Sequence, residues 1–135
     1  MSFKSGYLSG LMLLLATMVV HAEVVDIAPD KIVSYLERQE SVVVQFTSPD
    51  KGCKPCLAAY KDFDQFAEKN ADRSTFVRVE WKPYYNFPKD VQEKYRLIAV
   101  PAQMCFHNGK KFDALMGLLG KVAKRRIEQF ENACF

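Results

Sequence analysis

The sequence predicts an α/β domain in which helices cover both faces of a mixed β-sheet. Strand-like and helix-like patterns alternate along the chain, which is typical of strands joined by helical connections. Residues 41–47 include the adjacent β-branched residues Val42, Val43 and Val44, as expected for a strand buried on both faces. Asn108-Gly109 separates two apolar segments near the end of the chain, and this pair predicts a β-hairpin.

The predicted elements follow the order β-α-β-α-β-α-β-β-α. Strands are expected at residues 23–27, 41–47, 74–81, 102–106 and about 112–118. Helices are expected to begin near Pro29, Cys53, Pro88 and Gly120. A proline such as Pro88 suits the first turn of a helix, where no backbone N–H is needed.

Apolar spacing supports the individual elements. In the helix that begins at Cys53, residues on one face recur every three or four positions, namely Cys56, Tyr60, Phe63 and Ala67. In the third strand two faces alternate. The expected inward face contains Val77, Val79 and Trp81, and the expected outward face contains Phe76, Arg78 and Glu80. The last helix is expected to bury Val122, Ala123, Ile127 and Phe130. The hairpin loop, which includes His107, is expected to be longer than two residues.

A targeting segment precedes the domain. Residues 1–22 contain no acidic residue, a single lysine at Lys4 and an apolar run from Leu11 to Val20. This pattern is that of a secretory signal peptide, with cleavage expected after Ala22. The alternative is a membrane anchor, but the run is about 14 residues even when counted from Tyr7, and a spanning helix needs roughly 20. We therefore expect one domain at 23–135 and a periplasmic or secreted location.

The composition excludes several classes of protein. Of the 135 residues 49% are hydrophobic, so a packed globular domain is expected rather than a disordered chain. The 19 basic and 16 acidic residues give a formal net charge of +3. No basic patch with interleaved aromatic residues stands out, so no nucleic-acid partner is predicted.

The motif that carries chemistry is Cys53-Lys54-Pro55-Cys56, at the predicted start of the longest helix. The free N–H groups and partial positive charge of a helix N-terminus stabilise a thiolate. Cys53 is expected to be the exposed nucleophile, and Cys56, on the apolar face, the buried resolving thiol. Lys54 adds positive charge that favours the thiolate, and Pro55 occupies an early helical position that needs no N–H.

Other roles for this pair compete with redox activity. A C-x-x-C pair is half of a zinc site, but Cys105 and Cys134 are isolated, and His107 alone cannot complete the ligand set. We therefore predict no metal. A purely structural disulfide is the other alternative, although closing so short a loop removes little entropy from the unfolded chain. The motif thus favours a redox-active dithiol.

Successive motifs in this chain resemble those of thioredoxins, in the same order and over essentially all of residues 23–135. They are VVVQF at 42–46, CKPC at 53–56, YRLIAVP at 95–101, FHNGK at 106–110 and MGLLG at 116–120. The resemblance implies the thioredoxin fold and a cis peptide bond before Pro101, in a turn beside the active-site sulfurs. It also implies that the backbone of Val100 pairs with an extended substrate.

The sequence departs from the thioredoxin pattern close to the motif. Gln45 stands where the family usually has a buried acid, Thr47 where it has a tryptophan, and Lys54 where it has a glycine. Gln45 cannot gain or lose a proton, so the base that would help to deprotonate Cys56 is missing. The loop before Cys53 is also longer than is usual in the family.

A second disulfide between Cys105 and Cys134 is a candidate. In the thioredoxin fold Cys105 would lie on the strand after Pro101, and Cys134 beyond the last helix; export favours their oxidation. The bond would add roughly 3.6 kcal/mol in the chain-entropy model. The alternatives are two separate thiols, or a bond from Cys134 to another chain.

The sequence thus predicts an exported thiol-disulfide oxidoreductase that exchanges disulfides with protein substrates through Cys53 and Cys56. No cofactor is implied, and a monomer is expected. The direction of exchange stays open, and a reductase would need an electron donor such as a membrane-associated thiol relay. The alternative is a redox-inactive, thioredoxin-like binding or assembly module. The aromatic segment at 81–87 is either a docking surface or packs onto its own domain.

Overall fold

The computed structural model describes residues 23–135, and the predicted signal peptide at 1–22 lies outside the described residues. The strands are β1 Val24–Asp26, β2 Ser41–Thr47, β3 Thr75–Glu80, β4 Ala102–His107 and β5 Lys110–Met116. The helices are α1 Ile32–Glu37, α2 Lys54–Lys69, α3 Lys89–Tyr95 and α4 Lys124–Cys134, with a short 3₁₀ turn at Leu119–Lys121. The predicted order of elements is confirmed. Within this range no helix has the length and apolar character needed to cross a membrane.

The strands form a single mixed sheet in the order β1-β3-β2-β4-β5. β3 lies parallel to both β1 and β2, whereas β4 is antiparallel to β2 and to β5. β2 is therefore the central strand. It lies between β3 and β4, and helices cover both of its faces. This position explains its run of β-branched residues, because a strand buried on both faces needs no polar alternation.

Helices cover the sheet on both faces, as predicted. On one face α1 and α3 pack against Val42, Val44 and Phe46 of β2. On the opposite face α2 and the C-terminal part of the chain pack against Val43. The thioredoxin-type α/β architecture expected from the sequence therefore has two separate apolar clusters, with β2 contributing to each.

β3 differs from the expectation of a single inward face. Phe76 is 2% exposed and Arg78 is 8% exposed, so the face predicted to be outward is buried as well. Trp81 lies beyond the end of the strand and is 36% exposed. The prediction was wrong because α2 covers the second face of β3, and strand alternation alone does not report such a layer.

The hairpin and the last helix also differ from the predictions. His107 pairs directly with Lys110, so the loop contains only Asn108 and Gly109. Their φ angles of 51° and 82° match a tight turn whose twist suits the flanking strands. The last helix begins after Ala123, which is exposed.

Candidate active site

Cys53 and Cys56 form a disulfide at the start of α2, and their Cα atoms are 5.3 Å apart. Cys53 is the residue that precedes the first helical position, and Pro55 follows within the first turn. β2 ends at Thr47, so the loop at 48–52 carries the chain from the central strand directly to the pair. The sulfurs are thus placed beside the free N–H groups of a 16-residue helix, where a thiolate is favoured.

The two sulfurs differ little in burial. Cys53 is 5% exposed and Cys56 is 0% exposed, so the prediction of an exposed nucleophile is wrong for the disulfide state. Cys53 is nevertheless the more accessible of the two. Lys54 and Pro55, between them, are exposed.

Hydrogen bonds to Asp50 connect the loop before Cys53 to the aromatic segment at 81–87. The Cys53 N–H donates to the Asp50 carbonyl at 3.0 Å. The Asp50 carboxylate accepts from the N–H of Gly52 at 2.9 Å and from the N–H of Tyr84 at 3.4 Å. The residues are up to 34 positions apart, and no sequence pattern indicated this connection.

Side chains of β2 bond to the first turns of α2 from beneath. The Thr47 hydroxyl donates to the Cys56 carbonyl at 2.9 Å. The Gln45 Nε2 group donates to the Ala59 carbonyl at 2.8 Å. Both β2 side chains are wholly buried. The positions that depart from the thioredoxin pattern therefore anchor the helix that carries the disulfide.

Arg78 completes this buried network, and the sequence analysis did not identify it. Its Nε donates to Gln45 Oε1 at 2.8 Å, and its guanidinium also donates to the Tyr60 carbonyl at 3.1 Å and to Asp64 Oδ1 at 2.8 Å. The guanidinium lies 4.6 Å from the centre of the Tyr60 ring. The available signal was a charged residue between Val77 and Val79, which we interpreted as part of an outward face.

The turn before β4 lies at the same edge of the sheet as the disulfide. Ala102 pairs with Phe46, so the preceding Pro101 lies beside the end of β2 from which the active-site loop departs. The Val100–Pro101 peptide bond is cis, as the resemblance implies. Pro101 is buried and its carbonyl accepts from the Gly117 N–H at 2.8 Å, whereas Val100 is half-buried.

A groove of about 330 Å³ adjoins this turn. Its lining comes from the aromatic segment, α3 and the turn, through Tyr84, Tyr85, Phe87, Gln92, Leu97, Ile98, Ala99 and Val100. Within the aromatic segment, Phe87 is 3% exposed and belongs to the core, whereas Tyr85 is 75% exposed.

Cys105 and Cys134 also form a disulfide, with Cα atoms 5.7 Å apart. The residues are 1% and 2% exposed, and the bond joins β4 to the end of α4. All cysteines of residues 23–135 are thus paired. Within the same range no group of three or more histidine, cysteine or acidic side chains is arranged to hold a metal ion.

Comparisons with known proteins identify the fold and nothing finer. No protein-family model and no curated protein sequence matches the chain. Solved thioredoxin structures do match. Thioredoxin f2 of Chlamydomonas reinhardtii has a TM-score of 0.60 and 20% identity, over 82% of this chain and 94% of that one. A thioredoxin of Malassezia sympodialis has a TM-score of 0.64 and 18% identity, over 90% and 99%. Oxidised thioredoxin of Plasmodium falciparum has a TM-score of 0.60 and 22% identity, over 80% and 98%.

These similarities establish that the chain has a thioredoxin fold. The C-x-x-C disulfide of Cys53 and Cys56 stands at the N-terminus of α2, next to the central strand.

Proposed function

We propose that this protein is an exported thiol-disulfide oxidoreductase that acts on protein substrates through Cys53 and Cys56. The observation that carries the proposal is a disulfide across the first turn of α2 in a thioredoxin fold. The helix N-terminus favours a thiolate, and Cys53 is the sulfur nearer to solvent. Both features are those of a reactive dithiol rather than of an inert cross-link.

The exchange uses each sulfur once. In the reducing direction the Cys53 thiolate attacks a substrate disulfide, forms a mixed disulfide and releases one substrate sulfur as a thiolate. The Cys56 thiolate then attacks the Cys53 sulfur, so the bond to Cys56 forms as the bond to the substrate breaks. The substrate gains two electrons and the dithiol loses two; in the oxidising direction every step runs in reverse.

Val100 and the adjoining groove supply a place for the substrate. The resemblance to thioredoxins assigns the backbone of Val100 to an extended substrate segment. Tyr84 lines the groove and is hydrogen-bonded to Asp50 of the active-site loop, so the groove is connected to the Cys53 side of the disulfide. A protein segment that pairs with Val100 would lay its side chains over these aromatic rings.

Export and the electron donor are parts of the same proposal. Export rests on residues 1–22, whose sequence has the pattern of a signal peptide. The intact mass of protein recovered from the producing cell tests it: a chain that begins at Glu23 is expected, and a chain that retains residues 1–22 would contradict it. A reductase outside the cytoplasm would receive electrons from a membrane-associated thiol relay, whereas an oxidase would pass them on.

The decisive experiment measures redox potential and turnover together. We expect the folded protein to catalyse the reduction of insulin disulfides by an added dithiol, an assay that detects exchange in either direction, and we expect Cys53→Ser to abolish that activity. Cys56→Ser, the matched control, should trap a mixed disulfide through Cys53 that mass spectrometry detects. A potential below about −300 mV with no turnover would instead indicate a structural disulfide in a binding or assembly module.

A further inference from the structure

A row of polar side chains crosses the sheet beneath α2. In strand register Arg78 lies between Asp26 and Gln45, and Gln45 lies opposite Gln103. Gln45 and Gln103 are 0% exposed, and Arg78 is 8% exposed. A guanidinium is seldom buried without a specific partner, because taking a charge out of water costs several kcal/mol. Arg78 has such partners, and its bond to the Tyr60 carbonyl holds the guanidinium against the second turn of the helix that begins at the disulfide.

We propose that Gln45 and Arg78 are positioning residues that hold a permanent positive charge behind the dithiol, stabilise its thiolate form and bias the exchange toward oxidation of the substrate. The inference rests on the proposed exchange reaction and assigns the direction that the reaction favours. The buried acid of the thioredoxin pattern is absent at position 45. The charge proposed here is instead the Arg78 guanidinium, which stays positive at every pH at which thiols ionise.

The orientation of the Gln45 amide follows from its two neighbours. The Arg78 guanidinium has donors only, so it must face the Gln45 oxygen. The amide nitrogen is then left to donate to the Ala59 carbonyl. Neither atom of this amide can accept a proton from Cys56, which precedes Ala59 by about 4.5 Å along the helix axis.

The charge of Arg78 is directed inward. Its side chain is 9% exposed, whereas that of its partner Asp64 is 57% exposed. Water screens the Asp64 carboxylate far more than the buried guanidinium, so the ion pair leaves a net positive potential on the protein side. The same guanidinium bonds to the Tyr60 carbonyl, within the second turn of the helix that begins at the disulfide.

The other acidic groups around Arg78 lie nearer to water than the guanidinium does, because Asp26 and Glu68 are exposed and Glu80 is half-buried. From α2, Tyr60 faces the guanidinium, and burial together with a hydrogen bond to Glu80 raises the pKa of Tyr60, so it stays neutral. Glu80, on the same strand as Arg78, accepts that hydrogen bond from Tyr60. From β1, Asp26 lies opposite Arg78 in register but is exposed to water.

The direction follows from the charges of the two redox states. The Cys53–Cys56 disulfide is neutral, whereas the dithiol carries a negative charge when it ionises. A nearby positive charge therefore lowers the free energy of the dithiol state alone. When the disulfide accepts two electrons from a substrate dithiol, a disulfide forms in the substrate and the Cys53–Cys56 bond breaks, and Arg78 favours that side of the equilibrium.

The test uses substitutions of opposite charge effect. Gln45→Glu places an acid against Arg78 and cancels its charge, whereas Asp64→Asn removes the acid that partly neutralises it. We expect the equilibrium constant with glutathione to move about threefold or more toward the disulfide in Gln45→Glu. In Asp64→Asn we expect a smaller shift toward the dithiol, because water screens the Asp64 carboxylate. Gln45→Met, which has a similar shape and no charge, should shift the equilibrium less than Gln45→Glu does. The pKa of the Cys53 thiol, read from thiolate ultraviolet absorbance, should rise in Gln45→Glu and fall in Asp64→Asn.

Shifts of the same sign, or no shift in Asp64→Asn, would overturn the proposal. Asp64 lies on the exposed side of α2, so this variant should fold even if Gln45→Glu does not. Thiolate absorbance needs no substrate. Opposite shifts in a protein without turnover would thus refute only the proposed function, and turnover without opposite shifts would refute only this inference.

Discussion

The two faces of the sheet are built from different kinds of interaction. The face under α1 and α3 is built around an apolar cluster, with Phe46, Met104 and Phe106 among its buried side chains. The face under α2 and α4 has an apolar cluster of its own, and it also contains the buried polar side chains Gln45 and Arg78. The comparison indicates that the first face supplies packing energy, and that the second fixes the geometry and charge at the disulfide.

On the face under α2 and α4, hydrogen bonds compensate the cost of burying polar side chains. Among the described residues no buried side-chain nitrogen or oxygen lacks a partner. In the orientation that satisfies its neighbours, the Gln103 amide nitrogen donates to the carbonyls of Leu115 and Gly117, both at 3.2 Å. Leaving one buried polar group without its hydrogen-bond partner costs about 1–3 kcal/mol. A substitution on this face should therefore break specific hydrogen bonds, whereas one on the other face should alter only packing.

The largest effect is expected on the apolar face, from Phe106→Ala. Phe106 is 1% exposed and its ring centre lies 5.0 Å from that of Tyr95. Truncation should lower the free energy of unfolding by about 3–5 kcal/mol, and Phe106→Leu by less. Urea unfolding measures both. The equilibrium constant of the Cys53–Cys56 pair with glutathione should stay constant in the folded variants; a change there would contradict the division between the faces.

Removal of the second disulfide tests the opposite face. The bond closes a loop with a sequence separation of 29 residues, so replacing Cys105 and Cys134 by alanine should cost roughly 3.6 kcal/mol of unfolding free energy. Insulin reduction per folded molecule should not change, because the bond joins the end of α4 to β4 and does not involve Cys53 or Cys56. Cys134→Ala alone is the matched control, and it should lose the same cross-link while keeping one buried thiol. Loss of turnover in a folded double variant would show that α4 acts on the active site.

Sequence alone predicted the elements and the cysteine pair at the start of α2 because local patterns record them. The β-branched run at 42–44 identified the central strand, and the spacing of Cys53 and Cys56 placed that pair at a helix start. These features depend on neighbours only a few residues away. The fold class therefore followed from the sequence without knowledge of any distant contact.

The polar network could not be predicted in the same way. Arg78, between apolar neighbours, has the same pattern as a residue on a solvent-facing side of a strand. The parallel pairing of β2 and β3 places it next to Gln45, which is 33 residues away. The hydrogen bond from the Tyr84 N–H to Asp50 also joins distant parts of the chain. Long-range contacts of this kind leave no periodic signal, so the sequence named Gln45 as an exception without explaining what it contacts.

Thr47→Val probes a single hydrogen bond on the polar face. It removes the hydroxyl that donates to the Cys56 carbonyl and keeps the shape of the side chain nearly constant. We expect a loss of about 1 kcal/mol in unfolding free energy, together with lower turnover, because the first turn of α2 loses its link to β2. Thr47→Ser keeps a hydroxyl and should retain most of both properties. A loss in Thr47→Ser with none in Thr47→Val would mean that the methyl group, and not the hydrogen bond, matters.

The smallest effect is expected from Asp113→Asn, at the edge of the α2 and α4 face. Arg126 of α4 donates to both carboxylate oxygens of Asp113, at 2.9 and 2.7 Å, and to the Ala114 carbonyl at 3.0 Å. Both side chains are partly exposed, at 37% for Arg126 and 22% for Asp113, so the pair should contribute only about 0.5–1 kcal/mol at neutral pH.

The pH dependence of that effect has a definite sign. The hydrogen bonds from Arg126 lower the pKa of Asp113 below its ordinary value of 3.8. In acid the unfolded chain therefore binds a proton before the folded protein does, and the stabilisation, complete above the ordinary value, is lost as pH falls through the lowered pKa. Urea unfolding at a series of pH values should show the two proteins converging below about pH 4. A difference that persists at lower pH would mean that Asp113 stabilises β5 through its shape and its bond to the Ala114 N–H, and not through its charge.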